Sequence, residues 1–280
     1  MTGCGERGID GSVLDGVSET MLWTLRNKAV EAERSNGYFS DPLSVQLYRA
    51  IAYRYERFGK PSQSHPLRAM AFDTAIRSFL AAHPGGTVVA LGEGLQTSFW
   101  RIADPDVRWY SVDLPVAASL RKELLPREPN LTTLAGSALE RDWMDRLEVS
   151  GPVFVSAEGL LMYFTPEQAV SLITDCAARF PGGQMIFDSI PAWFSAKTLK
   201  GLKLGPGYTA PPMPFHLSVS AAVELPNRIP NVESATDVRL PLGRGLWGGP
   251  LGRILWRLFS LPKLRDHRPS ITLLQFGTGT

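Results

Sequence analysis

The sequence predicts an α/β fold that is built on a mostly parallel sheet. Strand-like and helix-like segments alternate from residue 87 to residue 190, which favours parallel strands joined by helical crossovers. Residues 88–91 and 153–155 are continuously apolar, as is typical of strands that are covered on both faces. A glycine-containing turn follows the first of these runs. Together these observations predict a layered domain with helices on both sides of the sheet.

The individual elements follow from local pattern and end signals. The candidate strands are residues 87–91, 108–112, 132–135, 153–157, 184–188, 235–240 and 271–276. The candidate helices are about 20–33, 41–55, 66–82, 115–125 and 166–180. Asp41 and Thr165 each precede a proline, which indicates an N-cap followed by proline at the first helical position. Gln168 stands at capping-box spacing from Thr165.

The length of 280 residues suits one domain, which we expect over residues 18–280. The glycine-rich and polar residues 1–17 predict a flexible N-terminal tail. Residues 18–65 predict an N-terminal helical cap. Residues 190–230 hold seven prolines among many aromatic side chains, which predicts a lid inserted at the carboxyl edge of the sheet. A surface cover for one helix face is the alternative.

Composition excludes several classes of protein. A net charge of +2 gives no reason to expect binding to nucleic acid. Two cysteines, Cys4 and Cys176, make no disulfide framework, and with no apolar leader at the N-terminus they point to a reducing cytoplasm. No apolar run is long enough to predict a membrane span. The four histidines have no metal-ligand spacing, so no metal is expected: His65, His83, His216 and His267.

Residues 246–259 predict an apolar helix that carries Arg253 and Arg257 four positions apart. Such a helix can line a pocket, pack on a partner or touch a membrane surface, and core packing or subunit contact is the favoured interpretation. The oligomeric state stays open, with a homodimer as one option. Seven basic residues in this part of the chain indicate either a solvated face or an anionic substrate: Arg239, Arg244, Arg253, Arg257, Lys263, Arg265 and Arg268.

The turn after the first strand is suited to a nucleoside. Gly92 and Gly94 tolerate positive φ and let the backbone approach a ligand closely. Asp113 follows Gly94 by 19 residues at the end of the second strand, where a carboxylate can accept bonds from ribose hydroxyls. A dinucleotide fingerprint has a third glycine where Thr97 stands here, so S-adenosylmethionine fits better than NAD. A tight strand-to-helix connection, with Asp113 as a helix cap, is the alternative.

Several separated segments resemble a known family. LGEGLQTSFWR at 91–101, SVDLP at 111–115 and AEGLLMY at 157–163 resemble the first, second and fourth motifs of the leucine carboxyl methyltransferase family. FDSIP at 187–191 and PPMPF at 211–215 resemble the bacterial polyketide O-methyltransferases of the tetracenomycin type within it. The resemblance covers about residues 20–190 and implies the fold of a class I S-adenosylmethionine-dependent methyltransferase, with a Rossmann-like sheet of seven mostly parallel strands.

The resemblance also implies roles for individual residues. Arg68 matches an arginine that grips the methionine carboxylate, and its guanidinium fork suits that planar anion. The other residues matched to the cofactor are Gly92, Gly94, Asp113, Ser137, Ala138 and Glu158. Tyr163 and Lys28 match positions near the reacting groups. Arg68 as a surface helix residue, Glu158 as a turn acid and Tyr163 as a packing aromatic are the alternatives.

The chain departs from the family at one place. The first motif of the family usually reads Gly-Leu-Asp-Thr-Arg, and this chain has Gln96 and Ser98 where the aspartate and arginine would stand. An ion pair made by those two charged groups would therefore be missing here. We expect this departure to bear on the identity of the substrate more than on the cofactor.

These observations predict an O-methyltransferase that acts on a carboxylate or phenol of a small, anionic or aromatic natural product of the polyketide type. A carboxylate is ionised at neutral pH and needs no base, whereas a phenol does. No histidine lies in a recognised motif, which favours a carboxylate, although His65 and His216 remain able to reach the site. The alternatives are methylation of a protein C-terminal carboxylate, a non-catalytic cofactor-binding protein and an NAD(P) oxidoreductase.

Overall fold

A computed structural model describes residues 9–245 and 248–279 of the chain. Its centre is a seven-stranded sheet with the order β3-β2-β1-β4-β5-β7-β6. Strand β7 is antiparallel to both of its neighbours, and β1 to β5 are parallel. The strands are β1 Thr87–Leu91, β2 Arg108–Asp113, β3 Leu131–Ala135, β4 Val153–Ala157, β5 Gln184–Ser189, β6 Val232–Asp237 and β7 Ser270–Phe276.

The predicted α/β architecture is therefore correct, and the differences lie at element ends. Strand β2 includes Asp113, which pairs with Ala135 of β3, so this acid sits at the last position of the ladder. Strand β6 lies three residues earlier than predicted, because its ladder begins where Val232 pairs with Phe276. Four of the six residues of this edge strand are polar, so its apolar pattern is weak.

Ten α-helices accompany the sheet within the described residues. They are α1 Gly16–Ala32, α2 Pro42–Ala50, α3 Ser64–Ala82, α4 Ser98–Ile102, α5 Pro115–Leu124, α6 Asp142–Asp145, α7 Pro166–Arg179, α8 Ala192–Thr198, α9 Val219–Val223 and α10 Gly249–Phe259. Both predicted caps are present: Asp41 accepts a hydrogen bond from the Ser44 amide, and Thr165 and Gln168 form a capping box. Helix α2 ends at Ala50 rather than 55, because Ile51–Ala52 pairs in parallel with Ile9–Asp10.

The predicted tail over residues 1–17 is too long. Residues 1–8 lie outside the described part of the chain, but Ile9–Asp10 forms a short strand and Gly11–Val13 a 3₁₀-helix. Leu14 is buried in the cluster that α1 and α2 form, and α1 begins at Gly16. Residues 9–17 are therefore part of the packed N-terminal region. Leu14 supplies apolar surface for this packing, although the overall pattern of the segment is polar.

Both faces of the sheet are covered, as the apolar strands predict. Val89 and Leu91 of β1 pack in the cluster that includes α7, whereas Val88 and Ala90 pack on the opposite face with α3. This alternation follows from the two-residue period of a strand. The centre of the sheet is therefore buried on both faces, and the carboxyl ends of its strands form one side of a cavity.

Candidate active site

A cavity of about 630 Å³ lies at the carboxyl edge of the sheet. The turns after β1, β2, β3 and β4 and the end of β5 form one side, through residues such as Gly92, Asp113, Ser137, Glu158 and Asp188. The other side comes from α1, the start of α3, the segment after β5 and the β6–β7 connection. We call these sides the strand-end wall and the opposite wall. The site therefore lies where parallel α/β sheets commonly bind ligands.

The turn after β1 has the backbone that the sequence predicts. Gly92 and Gly94 have φ values of 59° and 53°, in the left-handed region that favours glycine. A Cβ atom on Gly92 would lie 2.7 Å from a methyl carbon of Leu160, which is too close for a real side chain. A Cβ on Gly94 would lie 3.0 Å from Met21. Glycine at both positions thus permits the positive φ and the close approach of Leu160 and Met21, and both glycines line the cavity.

Asp113 holds the glycine turn against the second strand. Its Oδ2 accepts a hydrogen bond of 2.6 Å from the Gly94 amide, and its Oδ1 accepts one of 2.8 Å from the Leu114 amide. Burial raises the pKa of Asp113, and the two backbone amides oppose that shift. An ionised carboxylate has about four acceptor sites. The remaining acceptor sites are available to ribose hydroxyls because Asp113 lies on the cavity wall.

Arg121 supports the same turn from behind, and the sequence analysis missed it. The side chain of Arg121 is fully buried, and its Nη1 donates to the carbonyl oxygens of Gly94 and Gln96, at 2.6 and 3.0 Å. Its Nη2 lies 2.8 Å from the buried carboxylate of Glu93. Burial raises the pKa of Glu93, whereas Arg121 lowers it. Arg121 could have been recognised in the sequence because it shares the apolar face of α5 with Ala117 and Ala118.

A buried network of four charged side chains lies at the strand-end wall, and three of the four line the cavity. Arg68 donates from Nε to Glu158 Oε1 at 3.1 Å and from Nη1 to Asp188 Oδ2 at 2.8 Å. Lys28 Nζ lies 3.4 Å from the same Glu158 oxygen. The amide of Gly159 donates to Asp188 Oδ1 at 2.5 Å. Two cations thus neutralise two carboxylates where β4 and β5 end.

Burial and charge act in opposite directions on these groups. Burial alone would raise the pKa of Glu158, but Lys28 and Arg68 outweigh it and hold the pKa below its usual value. The pKa of Asp188 is raised by burial, although Arg68 opposes the shift. Burial lowers the pKa of Lys28, and Glu158 opposes this. The geometry therefore keeps Glu158 ionised and makes it the anionic centre of the network.

Eight of the nine predicted site residues lie on the cavity wall: Arg68, Gly92, Gly94, Asp113, Ser137, Ala138, Glu158 and Tyr163. Lys28 does not line the cavity; it lies behind Glu158 and also donates to Gln96 Oε1 at 3.0 Å. This geometry therefore does not support a direct contact between Lys28 and an acceptor. The guanidinium fork of Arg68 is occupied by Glu158 and Asp188, so within the described residues only Nη2 is left for a ligand carboxylate.

The departure at the first motif is compensated by neighbouring residues. Gln96 accepts from Lys28 and donates to the Glu158 backbone oxygen at 3.4 Å, so an amide takes the place of a carboxylate beside this lysine. Arg101, three residues after Ser98, donates to the Ser98 hydroxyl at 2.9 Å and forms ion pairs with Asp41 and Asp73. A guanidinium is therefore present beside Ser98 after all, supplied from the next turn of α4.

The opposite wall carries a histidine that no sequence motif marked. His65 lines the cavity together with Trp23, and their rings meet edge to face with centroids 4.8 Å apart. Burial lowers the pKa of His65 well below its usual value, and the nearby positive charges of Arg68 and Lys28 act in the same direction. His216, the other histidine considered, is exposed and is not part of the wall.

The rest of the opposite wall is largely apolar or aromatic. Phe194 and Met213 come from the predicted lid segment 190–230, which in the structure contains α8, α9 and a short hairpin of Lys203–Gly205 with Tyr208–Thr209. Trp256 comes from α10, and Arg268 lies 4.7 Å from the centroid of its ring. Arg268 also forms an ion pair with Asp237.

Two further features concern the described residues only. No group of three metal-ligating side chains that could hold an ion occurs among them. None of their helices is long and apolar enough to cross a membrane.

The strand order, the reversed β7 and the nucleoside-sized site at the strand ends define the fold class of the class I methyltransferases. A crystal structure of the CurJ carbon methyltransferase has this fold, with a TM-score of 0.54 and 13% identity over 93% of this chain and 67% of that chain. The model of the leucine carboxyl methyltransferase family matches residues 21–177. The chain belongs to this family, which confirms the resemblance found in the sequence.

Two relatives refine this placement. The tetracenomycin polyketide synthesis O-methyltransferase TcmP of Streptomyces glaucescens is 28% identical over 260 residues, which cover 91% of this chain and 88% of that protein. The S-adenosyl-L-methionine-dependent methyltransferase dpfgK of Gibberella zeae is 26% identical over 65% of this chain and 71% of its own length. TcmP agrees with the predicted subgroup, and dpfgK agrees with the predicted cofactor.

Proposed function

We propose that this protein is an S-adenosylmethionine-dependent O-methyltransferase that methylates a carboxylate of a small aromatic molecule of the polyketide type. The observation that carries the proposal is the division of one cavity into a strand-end wall with glycine, Asp113 and Glu158 and an aromatic opposite wall. The similarity to TcmP along nearly the whole chain supports an O-linked product. No feature of the described residues favours a peptide acceptor over a small molecule.

The residues on the strand-end wall fit the proposed cofactor. Asp113 accepts from the ribose hydroxyls, and Gly92 and Gly94 give the sulfonium chain a flat backbone surface. Ser137 and Ala138 flank the adenine, since both line the cavity after β3. Nη2 of Arg68 makes one hydrogen bond to the methionine carboxylate, because its other two nitrogens are already bonded. These assignments rest on positions and donor chemistry.

Methylation of a carboxylate requires little chemistry from the protein. The cofactor supplies an electrophilic methyl carbon, and a carboxylate with an ordinary pKa near 4 is already a nucleophile at neutral pH. The protein aligns the attacking oxygen with the methyl carbon and excludes water, and orientation of this kind is worth about 7–11 kcal/mol. The largely apolar opposite wall provides the exclusion, with Tyr163 near the junction of the two walls.

A phenol acceptor would need a base on the opposite wall. Burial raises the pKa of Tyr163 to about 12, so its hydroxyl stays protonated. Glu158 is held by Arg68 and Lys28, and Asp188 by Arg68 and the Gly159 amide. His65 on the opposite wall also has suitable chemistry, but its Nδ1 lies 2.7 Å from the amide nitrogen of Asn27, and burial lowers the pKa of its ring. The wall thus favours a substrate that is ionised before it binds.

The proposal is tested with methyl-labelled S-adenosylmethionine and a panel of aromatic acids, the matching phenols and C-terminal peptides. We expect label in the aromatic acids, and we expect mild base to release it because an ester hydrolyses. Label that withstands base would identify an aryl ether and contradict the carboxylate acceptor. Thermal shifts with S-adenosyl-L-homocysteine and with NADP test the cofactor separately, since saturation at about 100 times Kd adds roughly 2.7 kcal/mol.

A further inference from the structure

His65 stands at the start of α3 with one edge of its ring on the cavity and the other on Asn27. The side-chain amide nitrogen of Asn27 lies 2.7 Å from His65 Nδ1, and both residues are buried. Trp23 packs against the ring. These contacts fix the position of the imidazole, so its hydrogen-bonding state is set by its neighbours rather than by solvent.

The orientation of Asn27 determines which nitrogen of His65 carries the proton. The backbone amide of Ser62 lies 2.9 Å from Asn27 Oδ1, and a backbone N–H can only donate. The atom facing Ser62 is therefore the amide oxygen, and the amide nitrogen must face the ring and donate to Nδ1. A neutral ring that accepts at Nδ1 carries its hydrogen on Nε2.

The charges around His65 keep the ring neutral. Burial lowers the pKa of its imidazole, and Arg68 of the same helix and Lys28 of α1 lower it further. Asn27 of α1 is uncharged and cannot reverse this shift. At neutral pH the ring is therefore an N–H donor at Nε2, with no lone pair there to accept a proton.

We infer that Nε2–H of His65 binds the acceptor carboxylate through the oxygen that does not attack and so selects carboxylic acids over phenols. This role rests on the proposed function. In the transfer, the other oxygen gives an electron pair to the methyl carbon, the carbon–sulfur bond breaks with its pair on sulfur, and no proton moves. The carboxylate loses its charge in this step, so a cationic anchor would favour the ground state. A neutral donor favours the ground state less than a cation would, because it can still donate to the ester carbonyl once the charge is lost.

The test uses an isosteric change of the partner, Asn27→Asp. One carboxylate oxygen still accepts from Ser62, but the other faces Nδ1 and draws a hydrogen onto it, so a neutral ring now presents a lone pair at Nε2. The ring of the variant keeps Nε2–H only while it is doubly protonated. We therefore expect the KM for an aromatic acid to rise about tenfold or more with pH in this variant, as one hydrogen bond to a charged group is lost. The wild type should show no such rise.

Two variants of His65 complete the experiment. His65→Gln retains an N–H donor and should keep the KM within a few-fold of the wild type, whereas His65→Leu should raise it about tenfold. Affinity for S-adenosyl-L-homocysteine, measured by calorimetry, should be unchanged in all three. An unchanged KM in His65→Leu and a flat pH profile in Asn27→Asp would overturn this role and leave the proposed function intact. Methylation of phenols alone by the wild type would instead contradict the proposed function.

A second inference concerns the exposed face of α10, where the sequence favoured core packing or subunit contact. Leu251, Ile254 and Leu258 recur every three or four residues along α10, and Leu261 follows just beyond its last residue; each is about half exposed, at 47%, 54%, 47% and 49%. Residues at this spacing share one side of a helix. Core packing is therefore wrong for this side, which forms an aliphatic stripe that we call the α10 stripe.

Charges beside the α10 stripe are of one sign. Arg253, Arg257 and Lys263 are exposed, and residues 249–265 contain no acidic residue. A second copy related by a two-fold axis would bring these cations against their own equivalents. A helix with an apolar face and flanking basic residues instead suits the surface of an anionic bilayer.

The geometry points to the α10 stripe as a docking site for an anionic lipid surface. The same helix contributes Trp256 to the cavity wall, so contact with lipid would hold the opposite wall close to the bilayer. An apolar aromatic acceptor that partitions into lipid would then reach the cavity along a short path. The inference is independent of the acceptor and of the cofactor.

Vesicle sedimentation tests this surface. We expect the protein to pellet with phosphatidylglycerol-containing vesicles, to stay in solution with pure phosphatidylcholine, and to release at high salt. Ile254→Ser with Leu258→Ser should abolish pelleting, whereas Val170→Ser, at an exposed apolar residue of α7, should not. Failure to bind anionic vesicles would overturn the inference, as would a dimer in light scattering that the Ile254→Ser and Leu258→Ser change dissolves.

Discussion

The two walls of the cavity are built in different ways. The strand-end wall consists of turns that follow neighbouring parallel strands, and its polar atoms are fixed by backbone amides or buried ion pairs, as with Asp113 and Glu158. The opposite wall collects single residues from distant segments, such as Trp23, Phe194 and Trp256. If the proposed function is correct, we expect the strand-end wall to bind the cofactor and the surrounding segments to select the acceptor.

A second difference is that buried side chains on the side away from the cavity support the strand-end wall. Arg101 joins α2, α3 and α4 through ion pairs with Asp41 and Asp73, and it is buried away from the cavity. Arg121 holds the carbonyl oxygens of the glycine turn. If the comparison is right, changes behind the wall affect stability, changes on it affect the cofactor, and changes on the opposite wall affect the acceptor.

The largest effect is expected for Arg101→Met, which leaves the buried carboxylates of Asp41 and Asp73 without their cation. Removing one partner of a buried ion pair costs about 3–5 kcal/mol. Chemical denaturation should show this loss of unfolding free energy. Arg49→Met is the control, because its ion pair with Glu33 is exposed and should be worth no more than about 1 kcal/mol. Equal losses in both variants would contradict the supporting role.

The second effect is on the cofactor. Asp113→Asn removes the charge and one of the acceptor atoms that hold the Gly94 and Leu114 amides. Hydrogen bonds to a charged group contribute about 1.5–3 kcal/mol, so affinity for S-adenosyl-L-homocysteine should fall at least about tenfold in calorimetry. Asp106→Asn, at an exposed acid, is the matched control. Normal affinity in Asp113→Asn would remove the ribose role from this residue.

The difference between local turns and distant segments also explains how much of each wall the sequence predicts. Gly92, Gly94 and Asp113 could be identified because a strand, a turn and a strand-end acid are local patterns along the chain. The role near the reacting groups that the resemblance implies for Lys28 stays a prediction, because a role matched along the sequence does not show that its ammonium group would pair with Glu158 in a buried network. Its burial depends on how α1 packs across the sheet.

The predicted lid segment supplies part of the opposite wall, but the other individual residues of this wall could not be predicted, for the same physical reason. His65 became a site residue only when α3 placed it beside Asn27 of α1 and Trp23. Arg121 and Arg101 look like surface arginines in the sequence, since a charge on a helix is usually solvated. Their burial follows from carboxylates that other segments supply, Glu93 for one and Asp41 and Asp73 for the other.

A third, smaller effect concerns His65 of the opposite wall and the pH dependence of the unfolding free energy. The pKa of His65 is well below its usual 6.5 in the folded protein, so below pH 6.5 the unfolded chain binds a proton that the folded chain does not. The contribution of His65 to stability is therefore present above pH 6.5 and is lost as the pH falls. Relative to His65→Gln, the wild type should lose up to about 2 kcal/mol of unfolding free energy between pH 7 and pH 5. Parallel pH profiles would show that the ring is not held neutral.

The smallest effect is expected for Tyr163→Phe, near the junction of the two walls. The ring stays in place and only the hydroxyl is lost, and one neutral hydrogen bond contributes about 0.5–1.5 kcal/mol. If this hydroxyl belongs to the acceptor side, the KM for an aromatic acid should rise up to about tenfold with the affinity for S-adenosyl-L-homocysteine unchanged. The opposite result, weaker cofactor binding with an unchanged KM, would move the boundary between the walls beyond Tyr163. Steady-state kinetics and calorimetry on the one variant therefore locate where cofactor recognition ends and acceptor recognition begins.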